Sequence, residues 1–351
     1  MRVLLAPVEA AGVAAAMRTA LRERGHGADI VCFAPHPFGY AHDRVADTYV
    51  KRLREGIAAP LRYDVLHFQF GTTLCEFIDA AWARLTRRPL VLMHYHGDDC
   101  RTRDAVFARQ PARARVYDLR PRNDALVRRR LRLASRLCHA AVVADFELVS
   151  YLEPWFRTIY VSPAPVTLPA LGAPLPPLPG EGPIVLHVPS DPLFKGTAEI
   201  TAALERLAAR RPLRPRIVSG IPNVEVWAEM QRADVVVDQL NSENYAIVTT
   251  EAMALGKPVL SEFDPDDLPS FARDVPVVRI TPETLDAQLE AICADAERRQ
   301  SLGRAGAEYV RRVHGPDRLG ERLERIYAHA ATGQRGVFEV LDTGIERAAK
   351  R

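Results

Sequence analysis

Glu243 and Glu251 are separated by seven residues within the run ADVVVDQLNSENYAIVTTEAMALGKPVLS, residues 233–261. The run reads as a strand ending near Asp238, a polar loop carrying Glu243, and a short helix from about Ala246 to Leu255. Gly256 suits the left-handed position just past a helix, and Pro258 prevents the helix from continuing. One carboxylate therefore stands in the loop at the carboxyl end of a strand, uncapped backbone N–H groups follow, and Glu251 rides on the helix itself. Helix N-termini favour phosphate, and open α/β sheets bind ligands beyond the carboxyl ends of their strands. The chemistry on offer is recognition of a phosphorylated ligand. A second candidate, His96 in HYHGDD at residues 94–99, also follows an apolar run, and it reads either as a ligand-facing imidazole or as a satisfied structural one.

Such residues need a frame of strands and helices, and the sequence supplies one twice. The apolar runs at residues 2–6, 30–33, 64–68, 89–93 and 140–143 are separated by helix-length amphipathic or Arg-rich segments. Short strands alternating with helices indicate a parallel, doubly wound sheet. A Pro-rich stretch, residues 163–183, contains eight prolines and reads as a linker. A second β/α series follows, with runs at 184–188, 216–218, 234–237 and 258–260. The expected organisation is an N-terminal Rossmann-like domain over 1–162, the linker over 163–183, a second Rossmann-like domain over 184–330, and a C-terminal helical tail over 331–351.

Composition agrees with a folded chain of this size. The 351 residues are 48% hydrophobic and 26% charged, with a formal net charge of +3, which excludes global disorder. The net value hides an asymmetry: residues 1–162 carry 25 Lys and Arg against 17 Asp and Glu, and the remainder is net acidic. Five scattered cysteines, none in a ligand spacing, argue against a disulfide framework or structural zinc. The first residues read as a strand rather than a signal peptide, and a cytoplasmic protein is expected. The adjacent acids Asp98-Asp99 and Asp266-Asp267 read as ordinary solvated groups, and no metal site is expected.

With these residues in view, the chain resembles a known family. ENYAI at 243–247 followed by EAMALGKPV at 251–259 is similar to the E-P-F-G-x(4)-E-A-M-A-x-G-x-P-V signature of family 4 retaining glycosyltransferases. HVPSDPLFKG at 187–196 resembles that family's G-R-L-x(3)-K-G loop, with Lys195 present and Ser190 in the arginine's place. His96-Gly97-Asp98-Asp99 resembles its H-G-x-D motif, Ala11-Gly12-Val13 stands where it commonly has a Gly-rich loop, and Asp64-Val65-Leu66-His67 matches a D-V-x-H strand end, with His67 read as structural. The departures are Asn244, Tyr245 and Ala246 in place of Pro, Phe and Gly.

The resemblance implies two doubly wound Rossmann-like domains, the GT-B fold, facing a central cleft. It implies a transferase that moves a sugar from a nucleotide-diphosphate sugar, of UDP or GDP type, to an acceptor with retention and without a metal. Glu243 would lie by the donor sugar, the amides of Tyr245, Ala246 and Ile247 would meet sugar and phosphate, and Glu251 would hold the ribose hydroxyls. Lys195 would stabilise the leaving diphosphate, a phosphate oxygen would take the acceptor proton, and His96 would face the donor sugar. Gly12 would lie near phosphate and acceptor, Ser190 would replace one diphosphate cation, and the base would lie near residues 220–226. The bland readings are that Lys195-Gly196 merely opens a helix and that Lys257 is a solvated residue after one.

The excess of positive charge lies in residues 101–136, which contain twelve arginines and three aspartates, Arg128-Arg129-Arg130 among them. It reads as a solvated helix face, or as the site of an anionic or lipid-linked acceptor or of a peripheral membrane contact. Nucleic acid is not an expected partner, because aromatics are not interleaved with the basic residues. Two rival functions stay open: a sugar-nucleotide epimerase or glycan phosphorylase of the same architecture, and a non-catalytic binding or partner subunit.

Overall fold

A computed structural model describes residues 1–110, 116, 118, 123–166, 180–241 and 244–348. The chain divides into two compact units, the first made of Met1–Pro165, Pro269–Phe271 and Pro316–Arg351, the second of Val166–Leu268 and Ala272–Gly315.

In the first unit the chain runs β1 (Arg2–Ala6), α1 (Val13–Glu23), β2 (Gly27–Cys32), β3 (Arg44–Val45), α2 (Tyr49–Arg62), β4 (Val65–Gln69), α3 (Ile78–Thr86) and β5 (Leu90–His94). It continues through α4 (Arg103–Arg109), α5 (Asp124–Leu137), β6 (Ala140–Val143), α6 (Phe146–Leu152) and β7 (Thr158–Val161). Side chains of β4, β6 and β7 are buried throughout, as expected of parallel strands covered on both faces. Polar side chains start several helices: Thr48 caps α2, Asn123 caps α5 and Asp145 caps α6, each accepting a backbone N–H of the first turn.

The second unit runs β8 (Ile184–His187), α7 (Thr197–Ala208), β9 (Arg214–Ile217), α8 (Asn223–Arg232), β10 (Val235–Val237), α9 (Ile247–Ala254), β11 (Val259–Ser261), β12 (Val278–Arg279), α10 (Leu285–Ala294) and α11 (Ala296–Val313). Its core joins Val185, Val235 and Leu260 of the sheet to Ile200 and Leu204 of α7 and Leu289 of α10. The chain then returns to the first unit with α12 (Pro316–Ala331), β13 (Gly336–Val340) and β14 (Ile345–Arg347).

Both sheets are doubly wound. The nine-stranded sheet has the order β14-β13-β7-β6-β5-β4-β1-β2-β3 and is parallel except for β14, and the five-stranded sheet has the order β12-β11-β10-β8-β9. The order reverses between β1 and β4 in the first and between β8 and β10 in the second. Loops diverge at the carboxyl ends of these neighbours, which opens a crevice there.

Two boundaries differ from the sequence expectation. The helical tail expected over 331–351 is not formed by its described residues, which end at 348: β13 adds in parallel to β7, pairing Val337 with Ile159, and β14 closes the edge as a hairpin. Helix α12 belongs with the first unit rather than the second. It packs on α1, where Arg24 Nε and Nη2 reach Glu324 at 2.9 and 2.7 Å. A local pattern cannot show such a return, because α12 has the same amphipathic pattern whichever sheet it covers. Most of the expected linker, residues 167–179, lies outside the described residues.

Candidate functional site

In the second unit the reversal of strand order brings together the loop after β8, which carries Lys195, and the loop after β10, which leads to α9. Lys195 Nζ lies 2.6 Å from Asp238 Oδ1 and 2.7 Å from Gln239 Oε1, all three side chains being buried. Asp238 Oδ2 accepts from Thr249 Oγ1 of α9 at 2.7 Å, and Gln239 Nε2 donates to the Asn244 carbonyl at 2.7 Å. One buried carboxylate thus ties the β8 loop to the first turn of α9, and Gln239 ties in the segment before it. Gly196 makes the close approach possible: its φ is +68°, and a Cβ there would come 2.8 Å from Leu240 Cβ.

Helix α9 starts at Ala246 with no side-chain cap, so its first amides remain available to an anion. Tyr245, which precedes that terminus, is anchored through its hydroxyl, 3.0 Å from Tyr309 Oη and 3.2 Å from His314 Nε2. One turn on, Glu251 Oε1 accepts from Asn223 Nδ2 at 3.3 Å and from Trp227 Nε1 at 3.2 Å, while Oε2 has no partner among the described residues. Burial pushes its carboxyl up to about 7, against the lowering effect of those two donors. The arrangement is one fixed oxygen and one open oxygen, suited to accepting ligand hydroxyls. Asn223 falls within the 220–226 stretch expected near the base.

Glu243 lies outside the described residues. Ser190 is exposed and has no side-chain partner among the described residues, so the loop offers no arginine or substitute cation there. Lys257 is not solvated: its Nζ donates to the Gln231 carbonyl at 2.8 Å in the last turn of α8, and burial lowers its pKa.

In the first unit, rings stack in a column across the carboxyl ends of β4 and β5. Phe70 and His96 have centroids 6.1 Å apart, His96 and His94 4.6 Å, and His94 and His67 5.4 Å. His67, fully buried, ends the column with Nδ1 at 3.0 Å from Tyr327 Oη of α12, in accord with its structural reading. His96 Nε2 lies 2.8 Å from Gln69 Oε1, while the Gln69 amide nitrogen faces Met17 Sδ at 3.8 Å. That oxygen only accepts, so the His96 proton sits on Nε2 and Nδ1 presents a lone pair. Burial pushes His96 down to about 4 and His67 to about 3, so both are neutral near pH 7.

Asp99 is not a solvated neighbour of Asp98. It is buried, its Oδ1 accepts from the amides of His96 at 3.0 Å and Gly97 at 2.8 Å, and burial pushes it up to about 6. It fixes the turn that aims His96.

The helix after Gly12 is closed to an anion. Glu9 accepts from the amides of Ala14 and Ala15 at 3.2 and 2.9 Å, while the Val13 and Ala16 amides donate to the carbonyls of Ala10 and Gly12. Gly12 itself has φ +82°, and a Cβ would come 3.0 Å from the Tyr40 ring, so its requirement here is conformational. The arginine-rich segment is likewise partly structural. Arg101 forms a bidentate pair with buried Glu147 at 2.6 and 2.5 Å, and Arg128 and Arg130 pair with Asp104 and Glu76.

Asp238, Gln239, Thr249 and Trp227 in the second unit, and Gln69 and Glu9 in the first, were not singled out by the sequence. Gln69 ends β4 and Asp238 directly follows β10, each at the carboxyl end of a strand beside the reversal of strand order, which is the one signal that could have found them.

No family model matches this sequence, and no curated protein matches it. Solved structures do. Sucrose-phosphate synthase from Thermosynechococcus elongatus matches with a TM-score of 0.64 at 15% identity, over 95% of this chain and 100% of that one. HepE from Anabaena, in complex with UDP-glucose, matches with 0.62 at 13%, over 93% and 99%. An alpha-glucosyltransferase in complex with UDP matches with 0.60 at 12%, over 93% and 100%. At such identities the likeness is one of fold, and the chain has the GT-B architecture of these glycosyltransferases.

Proposed function

We propose that the chain is a glycosyltransferase that moves a sugar from a nucleotide-diphosphate sugar, of UDP or GDP type, to an acceptor hydroxyl with retention of anomeric configuration. The observation that carries this reading is Glu251, held by one oxygen through Asn223 and Trp227, on a helix whose N-terminus is uncapped. A nucleoside diphosphate needs both features: a carboxylate for ribose hydroxyls and amides for phosphate. The amides of Ala246 and Ile247, with Lys195, would stabilise the leaving diphosphate, and His96 Nδ1 would accept from a hydroxyl of the sugar. A diphosphate oxygen would take the acceptor proton, and no metal is invoked. The EAMALGKPV context and the fold shared with structures holding UDP or UDP-glucose support the donor class. An anionic or lipid-linked acceptor is supported by Arg129, Arg132 and Arg136, exposed along α5. A peripheral membrane contact through residues 101–136 has the same support.

The test is a thermal-shift screen with UDP-, GDP-, ADP- and dTDP-sugars. A ligand at about 100 times its Kd adds roughly 2.7 kcal/mol of apparent stability, so a clear shift is expected with one of the first two. No shift with any would remove the donor site. The anomeric configuration of the product, read by NMR, tests retention. One observation favours the second reading, a non-catalytic binding subunit: Lys195 is already paired with Asp238, and Ser190 provides no cation. Donor binding without transfer or hydrolysis across a broad acceptor panel would select it.

A further inference from the structure

The outer faces of α2 and α3 carry apolar side chains that the fold leaves uncovered. Val50, Ile57 and Leu61 follow one another at spacings of seven and four on α2, as Ile78, Trp82 and Leu85 do at four and three on α3, so each set forms a single stripe. Val50 is 74% exposed and Leu85 76%. The residues each helix buries, Gly56, Ala59 and Pro60 on α2 and Asp79, Ala80 and Ala83 on α3, lie on the opposite side. Since the two helices pack on one another, the stripes belong to one face of the first unit. An apolar face of this kind marks an interaction surface rather than scattered exposure.

Its charge says what covers it. Arg54 and Arg62 on α2, and Arg87 and Arg88 just after α3, are exposed and make no side-chain hydrogen bond or ion pair among the described residues. Helix α5, which packs on α3, extends the face with Arg129, Arg132 and Arg136 at spacings of three and four, also without side-chain partners among the described residues. The exposed acids beside it are engaged, Asp47 by Lys51 at 2.8 Å and Glu76 by Arg130 at 3.4 Å.

We propose that this face of α2, α3 and α5 docks on the surface of an anionic lipid bilayer. Apolar side chains, one of them tryptophan, interleaved with unpaired guanidinium groups are what a helix lying in a headgroup layer presents. A second copy of the chain would bring the same cations against one another, and a dry protein interface would strip them of water without partners. The contact is peripheral, since no helix among the described residues is long and apolar enough to cross a membrane. It is centred on α2 and α3, with Arg129, Arg132 and Arg136 of α5 at its edge, and it does not depend on the donor chemistry.

The experiment is flotation of the full chain with vesicles of phosphatidylcholine alone and of phosphatidylcholine mixed with phosphatidylglycerol, without sugar nucleotide. Binding to the anionic vesicles only, and weaker in high salt, is expected. Each arginine neutralised weakens partitioning about five-fold, so Arg54→Gln with Arg88→Gln should lower it roughly 25-fold. Ile57→Ser with Leu85→Ser should reduce it at least as much while leaving the circular-dichroism melt unchanged. Arg304→Gln with Arg311→Gln, exposed in the second unit and matched in net charge, should leave it within two-fold. Equal loss in that control, or no flotation, overturns the proposal, as does a dimer in sedimentation that the Ile57 and Leu85 substitutions dissociate. Because no donor is present, failure here leaves the transferase reading intact, and an absent donor shift leaves this one intact.

Discussion

Lys195 Nζ lies 2.6 Å from Asp238 Oδ1, and both side chains are buried. The ammonium that the sequence offers to a diphosphate is therefore also the counter-ion of a carboxylate inside the fold. Two of its three N–H groups point at Asp238 and Gln239, which leaves one for a ligand.

Removing Lys195 should therefore unfold before it informs on chemistry. Lys195→Ala leaves Asp238 charged and uncompensated, and a loss of about 3–5 kcal/mol in urea unfolding is expected. Adding Asp238→Asn should restore at least half of it. A single variant within about 1 kcal/mol of the parent would refute the buried pair as a structural element.

Glu251 links donor affinity to pH. Its carboxyl is pushed up to about 7 by burial, and only the ionised form accepts two hydroxyls, so the Kd for the nucleotide should rise as pH falls from 8 to 6. A folded-state pKa raised above the ordinary 4.5 means stability present at low pH and lost as pH climbs through about 7. Glu251→Gln should accordingly stabilise the unliganded chain at pH 8, by up to about 3 kcal/mol, and flatten the pH dependence of nucleotide binding. Calorimetric titration at three pH values checks the binding, and urea unfolding at pH 8 the stability; a Kd independent of pH in the parent would exclude titration of Glu251 in this range.

The Gln69 carbonyl oxygen sets the tautomer of His96. Imidazole nitrogen NMR should show His96 protonated on Nε2 and neutral at pH 6, and Gln69→Met should populate the other tautomer without lowering the melting temperature by more than a few degrees. A parent spectrum with the proton on Nδ1 would overturn the assignment.

Gly196 should not tolerate a side chain. Its φ of +68° disfavours an L residue by about 1–2 kcal/mol, and the Cβ would press on Leu240, so Gly196→Ala should lower stability by at least that much and shift Lys195. Urea unfolding together with nucleotide affinity measures both effects; an unchanged Kd would separate the Lys195 position from this turn.

The sequence by itself determined the alternation of strands and helices, the α9 terminus and the candidacy of Glu251, Lys195 and His96. These follow from local rules: apolar runs, a glycine and proline that stop a helix, and residue spacing along a short segment. Glu243 and Glu251 were legible as a motif, yet only Glu251 is placed, because Glu243 lies outside the described residues. Tertiary structure decided what the chemistry-bearing groups touch. Asp238 is 43 residues from Lys195, Gln69 is 27 from His96, and α12 is 260 residues from the histidine it contacts, so no local pattern could pair them. It also turned one expectation around. The C-terminal segment became strands because an open sheet edge at β7 accepts them. At the helix after Gly12, Glu9 folds back onto the first amides, a contact no local pattern announces. Periodicity fixes which face of an element is apolar; which group a buried charge meets depends on how the elements pack.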